Sequence, residues 1–235
     1  MRAVAVGQAE LKLFWRNKTA LFNSLVLPLL LIPVLVSVEA DGTPLMVGLI
    51  GFALVMAVYY NLVTTFVARR EELVLKRLRV GELTDPEILV GASLPSVAVA
   101  VGQMVLFTVI VGVITGVPLP SRPWFILPAV LGGVVVFALL AAASSAFTRT
   151  VEMAQVTSLP VLMACILGSG LMFPLELLPE NLQTVARLLP LTPVLDLLRA
   201  AWQDGPLLRP AIILAAWVVL GAYAVRRWFR WDPRR

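Results

Sequence analysis

Six apolar runs set what this chain can become. They cover about Ala20–Val38, Leu45–Val67, Leu94–Val117, Trp124–Phe147, Met153–Phe173 and Leu207–Val225, and the middle of each is free of Asp, Glu, Lys and Arg. Each comes close to the roughly 20 residues that a helix needs to cross a bilayer. Composition points the same way. Hydrophobic residues make up 60% of the chain and charged residues 14%, where an ordinary soluble domain carries about 25% charged residues. The expectation is an all-α integral membrane protein with six transmembrane helices and one domain over residues 1–235, since the polar stretches are too short to fold alone. The first run is read as a span. It exceeds the roughly 7–15 apolar residues of a cleaved leader, and a long patterned segment precedes it.

The charges then orient the spans. The pI near 10 could suggest nucleic acid, but the basic residues cluster beside the apolar runs, which reads as topology. With the N-terminus inside, the cytoplasmic side receives Arg2, Lys12, Arg16, Lys18, Arg69, Arg70, Lys76, Arg77, Arg79, Arg149 and the five C-terminal arginines. The outside keeps Arg122, Arg187, Arg199 and Arg209. Lys and Arg gather on the cytoplasmic side of membrane proteins, so both termini are expected there, in a multi-pass protein of the cytoplasmic membrane.

Three segments between the runs are patterned. Residues 1–19 place Val4, Leu11, Phe14 and Trp15 on one helical face with Lys12 and Arg16 on another, which suits an amphipathic helix at the membrane surface. Residues 174–206 are apolar but broken by Pro174, Pro179, Pro190 and Pro193. Proline is tolerated at a helix start and not in its interior. The expectation is two short external helices before the last span, about Glu180–Leu189 and Val194–Trp202. The third segment, RREELVLKRLRVGEL at 69–83, is dense in charge. As a helix it aligns Arg69, Glu72, Lys76 and Arg79 on one face, with Val74, Leu75 and Leu78 opposite. Glu72 and Lys76 stand in the favourable i,i+4 order, and Gly81 is a natural stop. TDPE then begins a new helix, with Thr84 or Asp85 as cap and Pro86 and Glu87 in its first turn. Such a helix suits either a docking surface or a rest on lipid headgroups.

Much chemistry is excluded. There is no histidine and only Cys165, which removes His-based catalysis, a disulfide framework and Cys-rich metal sites. Gly168-Ser169-Gly170 lacks the spacing of a nucleophile elbow. No carboxylate pair lies at membrane depth to hold magnesium. No G-x-x-x-x-G-K-[ST] is present, so the chain has no P-loop for ATP. Glu39, Asp41 and Glu152 stand only at span ends, unlike the buried acids of proton-coupled carriers. A sodium site built from backbone carbonyls and hydroxyls stays open, but uphill transport by this chain is better explained by a separate protein docked on the cytoplasmic side.

With these features together, the chain resembles a type-2 ABC transporter permease, the membrane subunit of bacterial ABC exporters. The likeness runs over nearly the whole chain. It rests on the surface helix before the first span, on RREELVLKRLRVGELTDPEILVG after the second, and on MFPLELLP with LLPLTPVLDLLR before the last. The resemblance implies that 69–83 holds a cytoplasmic coupling helix contacting an ATPase subunit, with Glu71, Glu72, Leu75, Lys76, Leu78 and Arg79 as its contact residues. Here Leu73 and Val74 stand after the acidic pair, where the family usually has glycine. The resemblance further implies pairing with a second permease copy or a sibling, ATP and Mg bound by the partner and not by this chain, and substrate moved outward. Spans two and five would face the dimer centre. Candidate path residues are Phe52, Met56, Tyr59, Tyr60 and Asn61, with Thr64 and Thr65 below, and Gln155, Ser158, Cys165 and Ser169 on span five. Ordinary interhelical packing explains the same residues equally. The uncharged spans favour a hydrophobic or amphipathic small molecule such as a drug, antibiotic or lipid. A non-transporting membrane anchor or sensor and a lipid-modifying membrane enzyme are the rival classes.

Overall fold

The computed structural model describes residues 42–74, 84–171, 175–229 and 231. Among the described residues there are helices and no strands. Five helices are long and apolar enough to cross a membrane. We label them with the two short helices in chain order: α1 Gly42–Glu71, α2 Asp85–Thr115, α3 Ile126–Phe147, α4 Val151–Gly168, α5 Glu180–Ala186, α6 Thr192–Arg199 and α7 Leu208–Trp228. The sixth expected span, 20–38, and the surface helix at 1–19 lie outside the described residues.

α1 is the hub. It packs against α2, α3, α4 and α6, and 72% of its apolar window is buried, against 17–33% for the other four spanning helices. A helix that is apolar all round is expected at such a centre. α3 links the hub to α7. The α3–α7 seam relies on glycine: a Cβ on Gly221 would stand 2.9 Å from the Cβ of Leu139. Small residues of this kind let two backbones approach in a membrane, where lipid tails are as apolar as leucine and packing drives association.

Alternate crossings sort the loops into two ends. At one end Arg70 reaches α3's last carbonyls, Phe66 meets Phe229, and Phe147 meets Trp228. Arg69, Glu71, Glu72, Arg149, Glu152, Arg226 and Arg227 belong to this end. At the other end Gly42 abuts Thr115 and Val117. There Ser121 Oγ and the Arg122 N–H both donate to the Ala201 carbonyl, and Trp202 Nε1 donates to Pro118 O at 2.9 Å. Arg122 also pairs with Asp204. No charge stands between the ends of any of the five helices.

Several boundaries differ from those read off hydropathy. α1 continues past Val67 to Glu71, so Arg69, Arg70 and Glu71 end the span's helix and do not open a new one. A helix that leaves hydrocarbon has no reason to stop at its first charge, because water and headgroups solvate the side chains. α2 starts at Asp85, nine residues before the apolar run. Its start is set by a capping box, in which the Thr84 N–H and hydroxyl both donate to the Glu87 carboxylate at 2.9 and 2.7 Å. It ends on Gly116 in the left-handed conformation, φ +66°. α4 ends at Gly168, short of Phe173, because Ser169 closes the helix and Gly170 turns at φ +71°. α5 and α6 are shorter than expected, ending at Ala186 and Arg199.

α6 is buried rather than a surface feature. Leu195 and Leu198 have no exposed surface, and the helix packs on α1, α3 and α7. Arg199 bonds Asp196 at 3.1 Å and the Gly170 carbonyl at 3.0 Å, tying α6 to the end of α4. Burial pushes the Asp196 carboxyl above its ordinary value, and Arg199 opposes that shift.

Candidate functional site

Two parts of α1 hold the residues singled out by sequence. The first is its middle. Leu54–Tyr60 is π-helical, with α-helix above and below. The consequence is a change of phase. In an α-helix, a step of four residues overshoots one turn by about 40°. A π turn holds more residues, so there a step of four falls short. The two errors offset. Gly48, Phe52, Met56, Tyr60, Thr64 and Ala68, each four apart, are all half-buried, and most of the rest of the helix is fully buried. Asn61 and Thr65 widen the stripe by one position. The stripe runs from an aromatic and thioether top to an amide and hydroxyl bottom.

Thr64 and Thr65 spend their hydroxyls on the carbonyls of Tyr60 and Asn61, both at 2.8 Å. These carbonyls sit where the π segment ends, and the bonds give them partners within the helix. The stripe thus presents methyl groups with satisfied hydroxyls, a surface suited to apolar or weakly polar contacts.

Tyr59 does not share this stripe. It has no exposed surface, its hydroxyl lies 3.1 Å from that of Ser144 on α3, and its ring meets Phe137 edge-on at 6.3 Å. It belongs to the α1–α3 contact. Sequence reading placed it beside Phe52 and Met56 by assuming 3.6 residues per turn throughout, and it did not find Ser144.

On α4 the candidates also divide. Ser158, Cys165 and Ser169 are buried with Ala154 and Leu162 on one packing face, and Gln155 is exposed. Ser158 Oγ donates to the Gln155 carbonyl at 3.0 Å. Ser169 Oγ is buried and has no hydrogen-bond partner among the described residues. α4 packs against the π segment and the lower half of α1, so the two helices holding the candidates touch within one chain. A further buried amide, Gln103 on α2, went unmarked in sequence because α2 reads as uniformly apolar around it.

The second part is the charged end of α1. Glu71 and Glu72 are exposed. Glu72 accepts from Arg69, three residues back, at 2.8 Å; Lys76, the partner the i,i+4 spacing suggests, lies outside the described residues. Leu73 takes a left-handed conformation, φ +59°, which L residues other than Gly, Asn and Asp adopt at a cost. The backbone therefore turns sharply at the position where glycine would be at ease. Leu75, Lys76, Leu78 and Arg79 lie outside the described residues. Arg70, which sequence reading counted only as a topology charge, is almost wholly buried at 1% exposure, the largest side chain so enclosed among the described residues.

The arrangement has a clear division of labour. A weakly polar stripe lies along the central helix, and the same helix ends in a sharp turn and a charged segment at one end of the bundle. The family model of ABC-2 type transporters matches residues 2–202. A comparison with curated proteins gave no match.

Proposed function

The chain belongs to the ABC-2 type transporter family and is a membrane subunit, and from that premise we propose that it is the permease of an ATP-driven exporter. The carrying observation is the continuity of α1. One helix holds the half-buried stripe and continues through Arg69, Arg70 and Glu71, the start of the charged segment, before the chain turns at Leu73, so a push on that segment acts at the end of the helix that lines the path. A separate ATPase subunit binds ATP and Mg and docks on 69–83, with Leu75 and Leu78 seated in it and Glu72, Lys76 and Arg79 setting register. Two permease copies, or this chain and a sibling, form the pathway in the cytoplasmic membrane, with both termini on the ATPase side. This chain does no catalysis itself. The absence of charge between the helix ends suits a hydrophobic or amphipathic substrate, met by Phe52, Met56, Tyr60 and Asn61 on α1 and by Gln155 on α4. Ser158, Cys165 and Ser169 support α4 from behind, and Tyr59 supports α1.

The test is copurification with a soluble, Walker-motif ATPase, followed by ATP hydrolysis and export measured on the same membranes. Wild type is expected to retain the ATPase and to hydrolyse faster with substrate present. Leu75→Ala combined with Leu78→Ala is expected to lose the ATPase or to uncouple it, since truncating a buried leucine costs about 2–5 kcal/mol. Glu72→Ala is expected to do much less, because an exposed ion pair contributes about 0–1 kcal/mol. A double-leucine variant that stays bound and coupled rules out this segment as the docking surface. A wild-type chain that never binds an ATPase leaves an anchor or sensor as the better reading.

A further inference from the structure

We infer that Arg70 is a positioning residue that fastens the end of α1 to the turn between α3 and α4, so that movement of the charged segment is delivered to three spans together. The inference rests on the coupling role proposed above for 69–83.

The geometry is that of a clamp. Arg70 Nη1 donates to the Ser145 carbonyl at 2.8 Å, and Nη2 donates to the Thr148 carbonyl. Ser145 and Thr148 are as enclosed as Arg70, at 1% and 0% exposure. Both carbonyls lie at the C-terminal end of α3, where the helix dipole is negative: the Ser145 carbonyl also accepts the Thr148 N–H at 3.2 Å, and the Thr148 carbonyl lies just past the last helical residue. A guanidinium offers a rigid fork that can meet two acceptors at once, which an ammonium does not.

The neighbours make the contact more than a cap. Thr148 ends α3 with extended backbone. Two residues on, the Thr150 hydroxyl accepts the Met153 N–H and begins α4. A connector this short holds α3 and α4 to one another, and Arg70 grips its first residue. On the other side, α1 stops one residue after Arg70 and the chain turns at Leu73. The clamp therefore sits at the base of the lever, between the segment that would meet a motor and the helices that would move. Arg69, the adjacent arginine, is partly exposed and pairs with Glu72 three residues on. Two identical neighbouring residues thus have separate tasks, set by helix phase.

A clamp that merely stabilises α3 and one that transmits motion differ in what they change. The complex with its ATPase is placed in lipid vesicles, and bound ATPase, ATP hydrolysis and export are measured together for wild type, Arg70→Lys and Arg70→Gln. Both variants are expected to keep the ATPase and to hydrolyse ATP, with substrate exported per ATP falling roughly five- to tenfold, less for lysine than for glutamine. A second chain carries Arg70→Cys and Thr148→Cys with Cys165→Ser, and bridging the two cysteines with a short bifunctional thiol reagent is expected to restore export per ATP. A third keeps Arg70 and inserts two glycines between Glu72 and Leu73, loosening the lever beyond an intact clamp. It is expected to assemble and to uncouple. Wild-type export per ATP in the Arg70 variants, in the unbridged cysteine pair or in the glycine insertion overturns the clamp, as does a bridged pair that stays uncoupled. Failure of the coupling role itself shows separately, as a wild-type chain that binds no ATPase.

Discussion

α1 and α7 both pack on α3, one from the centre of the bundle and one from its edge. α1 is 72% buried over its apolar window and α7 only 17%. Their sequences do not differ in the obvious way, since both are charge-free between their ends. The difference lies in what each touches. α1 has partners on four sides, so its side chains fill specific gaps: Leu62 and Val63 have no exposed surface, and Phe66 has almost none. α7 meets the described protein on one side, against α3 and α6, and leaves Ile212, Val219, Leu220 and Tyr223 exposed. In water such a face would demand a cover. In lipid it needs none, because exchanging tail for side chain gains little. Hydropathy measures the tendency to be in a membrane, and it is silent on whether a residue meets protein or lipid there.

The comparison breaks most easily with leucine and valine. Leu62→Ala on α1 opens a cavity among α1's neighbours and is expected to cost about 2–5 kcal/mol. Val219→Ala on α7 removes side-chain atoms that face outward and is expected to change stability by about 0.5 kcal/mol or less. Thermal unfolding in one detergent–lipid mixture measures both. Equal losses would mean that α7's outer face is covered in the assembled protein, which would sharpen the comparison into a map of the subunit interface.

Next in size is the α3–α7 seam. Gly221→Leu puts a branched side chain where a single Cβ already falls 2.9 Å from the Leu139 Cβ. Leu139 cannot retreat by rotating, since its Cβ is fixed to the helix. Overpacking of this kind costs about 1–3 kcal/mol, and here it is expected to push α7 away while leaving α1 in place. Cross-linking between cysteines substituted at Phe66 and Phe229, whose rings stand 6.1 Å apart, reports the displacement at the far end of the helix. Unchanged cross-linking and unchanged unfolding would show that α7 slides along α3 without loss.

How legible was all this in the residues? The helical class, the five described spans and the two-ended sorting of loops follow from apolar length and charge-free centres. The start of α2 was legible to within one residue, as Thr84 or Asp85, because TDPE carries cap and first-turn residues that act locally. The prolines at 179 and 193 marked the starts of α5 and α6, although nothing in TPVLDLLR says that α6 is buried. Three features were not legible, each for a non-local reason. The π segment LVMAVYY has no composition of its own and reflects how α1 is held between neighbours. Arg70 and Arg69 are identical in sequence, and only the helix's phase against α3 separates them. Ser169 and Gly170 ended α4 inside an apolar run, where continuing hydrophobicity concealed a glycine turn.

The smallest effect decides the finest point, whether the π segment parts two adjacent tyrosines into structural and functional roles. Tyr59→Phe removes one hydroxyl from the contact with Ser144 and keeps the ring against Phe137. Hydrogen bonds between membrane helices contribute about 0.6 kcal/mol on average, so unfolding is expected to shift by a few tenths to one kcal/mol. The substrate range is expected to stay as in wild type. Tyr60→Phe removes a hydroxyl from the half-buried stripe, with no hydrogen bond of that hydroxyl to the described residues at stake. Stability is expected to hold, and the ranking of exported compounds, or the degree to which each stimulates ATP hydrolysis, is expected to change. The reverse pattern, with Tyr59→Phe altering substrate preference and Tyr60→Phe altering only stability, would mean that α1 presents its other face to the path. The four-residue stripe from Phe52 to Thr64 would then be packing against a neighbour, and the α1–α3 contact would have to open during transport.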